Sequence, residues 1–195
     1  MNVTLIDSPV ANVANIARAL RAVGAELHVT RDREAIASAS KIVLPGVGSF
    51  AAARSWLEQT NIDAALQTAV TNGASLLGIC VGHQLLFDMS YEMGVTRGLG
   101  FIKGVVQRLD GPLPVPQIGW NRVQVQGPLF DGIENGTPFY FVNSYAVRNN
   151  PGASADYNGP FTAAVQKGRV FGVQFHPEKS SVAGLRVLRN FVACN

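Results

Sequence analysis

The first half of the chain alternates short apolar runs with helical periodicity, and this alternation narrows the choice of fold more than any other feature. Val3–Asp7, Leu27–Thr30, Lys41–Leu44 and Ser75–Ile79 read as strands. Between the first two, Asn12–Val23 carries Val13, Ile16, Ala17 and Leu20 at helical spacing and stops at Gly24. A short helix is expected near Arg33–Ala39, with longer ones over Ser49–Leu57 and Ile62–Thr71. Strand–helix–strand order implies an α/β fold with a doubly wound, mostly parallel sheet. Ligands of such sheets sit beyond the carboxyl ends of the strands.

The second half reads differently. From Gly100 to Phe175, glycine, proline and alternating apolar residues dominate. Val105–Leu109, Arg122–Gln126, Phe139–Val142, Thr162–Gln166 and Val170–Phe175 are expected as strands of a more antiparallel section, closed by a helix over Ser181–Ala193. No stretch is long or polar enough to act as a linker, so residues 1–195 read as one domain.

Gly78-Ile79-Cys80-Val81-Gly82-His83-Gln84 follows one of the strands and leads into Gln84-Leu85-Leu86-Phe87, which reads as an apolar helix face. A nucleophile between two glycines at a strand-to-helix junction is the cysteine form of a nucleophile elbow. The glycines would permit a turn sharp enough to leave the side chain exposed. The helix N-terminus behind it would favour thiolate. A buried structural cysteine between packing glycines gives the same pattern, so a base is needed to decide. Near the other end, Phe175-His176-Pro177-Glu178 supplies one. In extended backbone, positions i and i+2 share a face, so His176 and Glu178 can meet the same site as base and orienter of Cys80. Of the three histidines, His28 has no acidic neighbour in sequence. His83, on the helix behind the elbow, is expected to point along that helix. Pro45-Gly46-Val47-Gly48 follows a strand, as an oxyanion loop does in related architectures.

Composition excludes several classes. Net charge is +3 with scattered basic residues, which gives no nucleic-acid footprint. Charged residues make up only 15%, below the usual ~25%, which hints at surface hidden against a partner. Two cysteines, Cys80 and Cys194, form no disulfide framework and suit a reducing compartment. No membrane-length apolar run, signal-peptide pattern or metal-ligand spacing is present, so the chain reads as soluble and cytoplasmic, without metal.

L-P-G-V-G, G-I-C-V-G-H-Q, G-W-N and Q-F-H-P-E-K-S, in that order, make the whole chain resemble the triad (class I) glutamine amidotransferases. Pro116–Asn121, Tyr140–Tyr145 and Lys179 narrow the resemblance to the glutaminase subunits of imidazole glycerol phosphate synthase. The resemblance implies glutamine hydrolysis without a cofactor. Cys80 would attack the side-chain amide, His176 would serve as acid and base, and Glu178 would orient it. Val81 and the Val47–Gly48 peptide would hold the oxyanion, and Gln84, Glu92, Ser144 and Tyr145 would hold the α-amino and α-carboxylate ends. It further implies a (β/α)₈-barrel cyclase partner met through Asn12, Trp120, Tyr140 and Lys179. Gln117 and Asn143 depart from the pattern, standing where histidine is common, and the loop from Asp7 to Asn12 has less glycine than in many relatives. The rival readings are the glutaminase of a pyridoxal phosphate or anthranilate synthase, and a cysteine hydrolase on a similar sheet. A binding subunit without catalysis is a further rival, disfavoured by the intact Cys80, His176 and Glu178.

Overall fold

The alternation expected of the first half is present as β1 (Asn2–Ile6), α1 (Val13–Ala22), β2 (Glu26–Thr30), α2 (Arg33–Ala37), β3 (Lys41–Gly46), α3 (Phe50–Gln59), α4 (Ile62–Thr71), β4 (Ser75–Cys80) and α5 (Val81–Leu85). The computed structural model describes residues 1–9 and 11–194; Val10 and Asn195 lie outside them. The second half contributes β5 (Met89–Ser90), β6 (Thr96–Arg97), β7 (Val105–Arg108), β8 (Gln117–Arg122), β9 (Pro138–Asn143), β10 (Tyr145–Val147), β11 (Ala153–Asp156), β12 (Pro160–Lys167), β13 (Val170–Val173) and α6 (Ser181–Ala193).

A seven-stranded sheet runs in the order β11-β12-β13-β4-β3-β1-β2. Its last five strands are mutually parallel, while β12 runs antiparallel to both its neighbours, β13 and β11. The central β3 and β4 are buried at every residue, as parallel strands covered on both faces must be. Helix α1 turns Ile16, Ala17, Ala19 and Leu20 inward, and Asn12 caps it by accepting from the Asn15 N–H at 3.3 Å. The buried ammonium of Lys41, in β3, donates to Phe191 O, Val192 O and Cys194 O at 3.1, 2.7 and 2.5 Å. Burial lowers its pKa, but a cation against the last carbonyls of α6 is well placed for the helix dipole.

The expected strand over Arg122–Gln126 is displaced. β8 lies upstream and pairs with β9 from Gln117↔Asn143 to Arg122↔Pro138, and beyond it only a bridge between Gln124 and Ser154 remains. Pro138 has no N–H to continue the ladder. Asn135 instead accepts from the Val125 N–H at 2.8 Å and donates to Gln124 Oε1 at 2.6 Å, which curls the segment into a loop. β5, β6, β10 and β11 were not expected; they are too short to show a period. The helix after the elbow is also shorter than its apolar pattern, with Leu86 as its C-cap and Phe87 beyond it.

An aromatic cluster underlies the end of the second-half strands. Phe139 stacks on Phe175 at 4.2 Å, with Phe130 and Phe141 edge-on to Phe175. Burying each such ring is worth about 1.5–3 kcal/mol. Phe175 is thereby an anchor directly before His176.

Candidate active site

Cys80 ends β4 and begins α5 with φ 56° and ψ −110°. A non-glycine residue with positive φ between strand and helix stores strain of the kind that collects at active sites. The flanking glycines have a different task from the one the sequence suggests. Neither takes a positive φ; both are required by contact. A Cβ on Gly78 would lie 2.5 Å from Gly82 O, and one on Gly82 would lie 2.0 Å from Leu44 O. Gly46, at the end of β3, is confined in the same way, 2.8 Å from Gly82 N. Of the two glycines in the Pro45–Gly48 loop, only Gly48 is free, at φ +82° with nothing within 4 Å.

The expected exposed sulfur is corrected too. Cys80 is 3% exposed and forms the floor of a cavity of about 340 Å³. Its Sγ faces Val142 O at 3.9 Å and Gln174 Nε2 at 4.0 Å. With five residues, α5 aligns few peptide dipoles, so the positive charge beside Cys80 comes from His176 instead. The His176 Nδ1–H donates to Glu178 Oε1 at 2.8 Å, leaving Nε2 for other partners. Burial opposes charge on His176, but hydrogen bonds to Cys80 and Glu178, and their charges, prevail, and its pKa is pushed up to about 10. An imidazolium beside sulfur favours the nucleophilic thiolate.

His176 and Glu178 meet for a reason other than strand alternation. His176 is extended, but Pro177–Lys179 is a 3₁₀ turn, and the turn folds the carboxylate back onto the ring. The turn is tied to β9 by His176 N donating to Tyr140 O at 2.9 Å, and by Ser180 Oγ accepting from Tyr140 N at 3.0 Å and donating to His176 O at 2.7 Å.

The same cavity is lined by Val47, Gly48, Val81, Gln84, Glu92, Ser144, Tyr145 and Lys179. Elements far apart in sequence thus bring the expected cysteine, base, loop and substrate residues to one place. A family model, glutamine amidotransferase class-I, matches residues 4–194. The chain belongs to the class-I glutamine amidotransferases.

Relatives of this amidotransferase include proteins named imidazole glycerol phosphate synthase subunit HisH. That of Caulobacter vibrioides is 44% identical, covering 97% of both chains. That of Moorella thermoacetica is 43% identical, covering 97% of this chain and 93% of its own. Among solved structures, a crystal structure of a glutamine amidotransferase superposes with TM-score 0.77 over 97% of this chain and 96% of its own at 19% identity. PurLQS from Thermotoga maritima does so with TM-score 0.75 over 98% and 97% at 18% identity. At these identities the structures speak for the fold alone.

Not every expected residue of the amidotransferase lies in the cavity. Glu178 sits behind His176. Trp120, 55% exposed, lies edge-on to Tyr140 at 6.0 Å, and Lys179 Nζ stands 5.7 Å from the Tyr140 ring. These three make one aromatic–cation group, of which Lys179 lines the cavity. Asn12 is apart from it, at the head of α1, which packs on the 177–179 turn. Gln117 and Asn143 are cross-strand neighbours, both buried, and their Oε1 and Oδ1 lack partners among the described residues. Asn143 also lines the cavity. His83 is fully buried against Phe87, and burial lowers its pKa to about 3; it is no base for Cys80. His28 lies on β2, an edge strand of the main sheet. Sequence reasoning missed Gln174, although the i, i+2 spacing that paired His176 with Glu178 extends back to it.

Among the described residues, no group of His, Cys, Asp and Glu could hold a metal ion, and no helix is long and apolar enough to cross a membrane.

Proposed function

We propose that this amidotransferase is the glutaminase subunit of an imidazole glycerol phosphate synthase, acting in histidine biosynthesis in the cytoplasm, with residues 1–195 as one catalytic domain. The observation that carries the chemistry is the convergence of Cys80, His176 and Glu178 at the cavity floor. The near-full-length relatives bearing that subunit's name support the choice of acceptor.

Glutamine enters with its carboxamide over Cys80. The thiolate attacks the carbonyl carbon, and the displaced π pair moves to oxygen. The N–H of Val81 and a peptide N–H at Val47–Gly48 receive that oxyanion, each donor being worth about 2.7–4 kcal/mol. His176 gives its proton to the leaving nitrogen, the C–N bond breaks, and ammonia departs from a glutamyl thioester. Neutral His176 then takes a proton from water, whose oxygen attacks the thioester. The tetrahedral adduct collapses to glutamate and Cys80 thiolate. Glu178 keeps the ring oriented and offsets its charge. Gln84, Glu92, Ser144 and Tyr145 hold the amino and carboxylate ends of glutamine. No cofactor enters any step.

Ammonia passes to a (β/α)₈-barrel cyclase, which uses it to make imidazole glycerol phosphate and an aminoimidazole carboxamide ribotide. Trp120, Tyr140 and Lys179 form the docking rim, with Asn12 at its margin. Exposed aromatics beside a cation are typical of such surfaces. Lys179 pairs with an acidic group of the partner.

The test compares glutamine hydrolysis by the chain alone, with a barrel cyclase, and with cyclase plus its nucleotide ligand. The rate is expected to be near zero alone and to rise at each addition. Full activity in the lone chain, or indifference to the cyclase, would remove the subunit assignment.

A further inference from the structure

Cys80 has a neighbour on each side in the sheet. The register of β3 on β4 sets Gly46 beside it. That of β13 on β4, which ends at Val173↔Ile79, brings Gln174 level with it on the other side. Gln174 is fully buried, and its N–H donates to Ala163 O at 2.8 Å, fixing the strand end. Its side-chain amide is used at both ends. Oε1 accepts from Gln84 Nε2 at 3.0 Å, and Nε2 donates toward Cys80 Sγ at 4.0 Å. Gln84 in turn donates to Tyr145 O at 2.9 Å. Because Oε1 is held by Gln84, the amide N–H has to face the sulfur.

A neutral amide offers something His176 cannot. His176 surrenders its proton to ammonia part-way through the reaction. Gln174 has no proton to lose, so its donor stays in place when the imidazole is neutral and sulfur must depart from the thioester.

We infer that Gln174 is a further catalytic residue: a permanent N–H donor to the Cys80 sulfur that stabilises the thiolate on attack and on departure, while fixing Gln84 in the cavity wall. This rests on the proposed role of Cys80 as nucleophile.

The test follows alkylation of Cys80 by iodoacetamide from pH 5 to 10 in a Cys194→Ser background, and glutamine hydrolysis in the complex with the cyclase. Gln174→Met keeps the volume and drops both hydrogen bonds. Its alkylation midpoint should rise by about one pH unit and its kcat fall about tenfold, with a raised KM, as expected for a lost bond to a charged acceptor. Gln174→Glu keeps an acceptor for Gln84 but presents oxygen to the sulfur, so kcat should fall similarly with KM unchanged. Circular dichroism establishes which variants are folded, and either folded variant decides. A wild-type alkylation profile in a folded variant overturns the inference. Glutamine hydrolysis retained by Cys80→Ala would instead remove the underlying nucleophile assignment, a distinct outcome.

Discussion

Gly46 and Gly48 are two residues apart on one loop, yet a Cβ on the first would strike Gly82 N at 2.8 Å and one on the second would meet nothing within 4 Å. The same division runs around the cavity. On the elbow side, β3, β4 and α5 approach until only glycine fits. On the loop side, Val47 is 37% exposed and Gly48 holds φ +82° in open space. The proposed nucleophile and base are thus set before glutamine arrives, whereas the proposed oxyanion peptide is free to be set later. A site fixed on one wall and adjustable on the other can hold its chemistry ready while a partner controls its last donor.

The largest expected effect tests the fixed wall. Cys80→Ala should lower glutamine-dependent turnover by about 10⁴-fold or more, while cyclisation fed by free ammonia continues in the complex; unaltered glutamine turnover would refute the triad. His176→Asn should cost about 10²–10⁴ from lost acid–base help, and His83→Asn far less. With the His176 pKa near 10, its charge and the stability it brings persist from below the ordinary value near 6.5 and are lost as pH rises through about 10. An alkaline limb of kcat near that pH is therefore expected.

The adjustable wall is tested by Gly48→Pro, which deletes an N–H and cannot adopt φ +82°. It should depress the ligand-activated rate by about 10²–10³ and the basal rate much less. Equal loss of both would place Gly48 in the fixed part of the site.

His83 sharpens the comparison through stability. Its pKa is lowered to about 3 by burial, so it is neutral in the folded protein while the unfolded chain binds a proton below about pH 6.5. Stability from this group is whole above that pH and falls as pH drops toward 3, by about 2 kcal/mol between pH 6.5 and 5. Urea unfolding at these pH values should show a shallower loss for His83→Leu; parallel curves would contradict it. The smallest effect is expected at the rim. Lys179→Ala should lower the coupling of hydrolysis to cyclisation by about 2–5-fold, the scale of a partly exposed ion pair, read as glutamate formed per cyclised product.

Much of this division was legible in the sequence, though sometimes for other reasons. The parallel sheet followed from alternating periods because β3 and β4 are wholly buried and, beyond Lys41 and Ser75 at their starts, apolar. The strand over Arg122–Gln126 failed because its polar–apolar alternation is satisfied by a loop that Asn135 and Pro138 shape, and neither signals at that distance. The meeting of Cys80, His176 and Glu178 was legible in residue type and spacing, yet the spacing argument assumed extended backbone where a 3₁₀ turn stands. Gln174 escaped notice because a glutamine in a strand gives no sign of its bond to sulfur until β13 is placed beside β4. The roles of Gly78 and Gly82 could not be separated in sequence, since a glycine demanded by φ and one demanded by contact are the same letter.

The crowding at those two glycines has a consequence for inheritance. Any amino-acid replacement at Gly78 or Gly82 adds at least a Cβ, and what it meets is backbone, 2.5 Å away at Gly82 O and 2.0 Å away at Leu44 O. A side-chain tip could rotate aside, but Gly82 O belongs to α5 and Leu44 O to β3, and neither carbonyl can move without its helix or strand. Descendants of this chain can therefore vary the open loop one residue at a time, but the elbow admits no small first step away from itself.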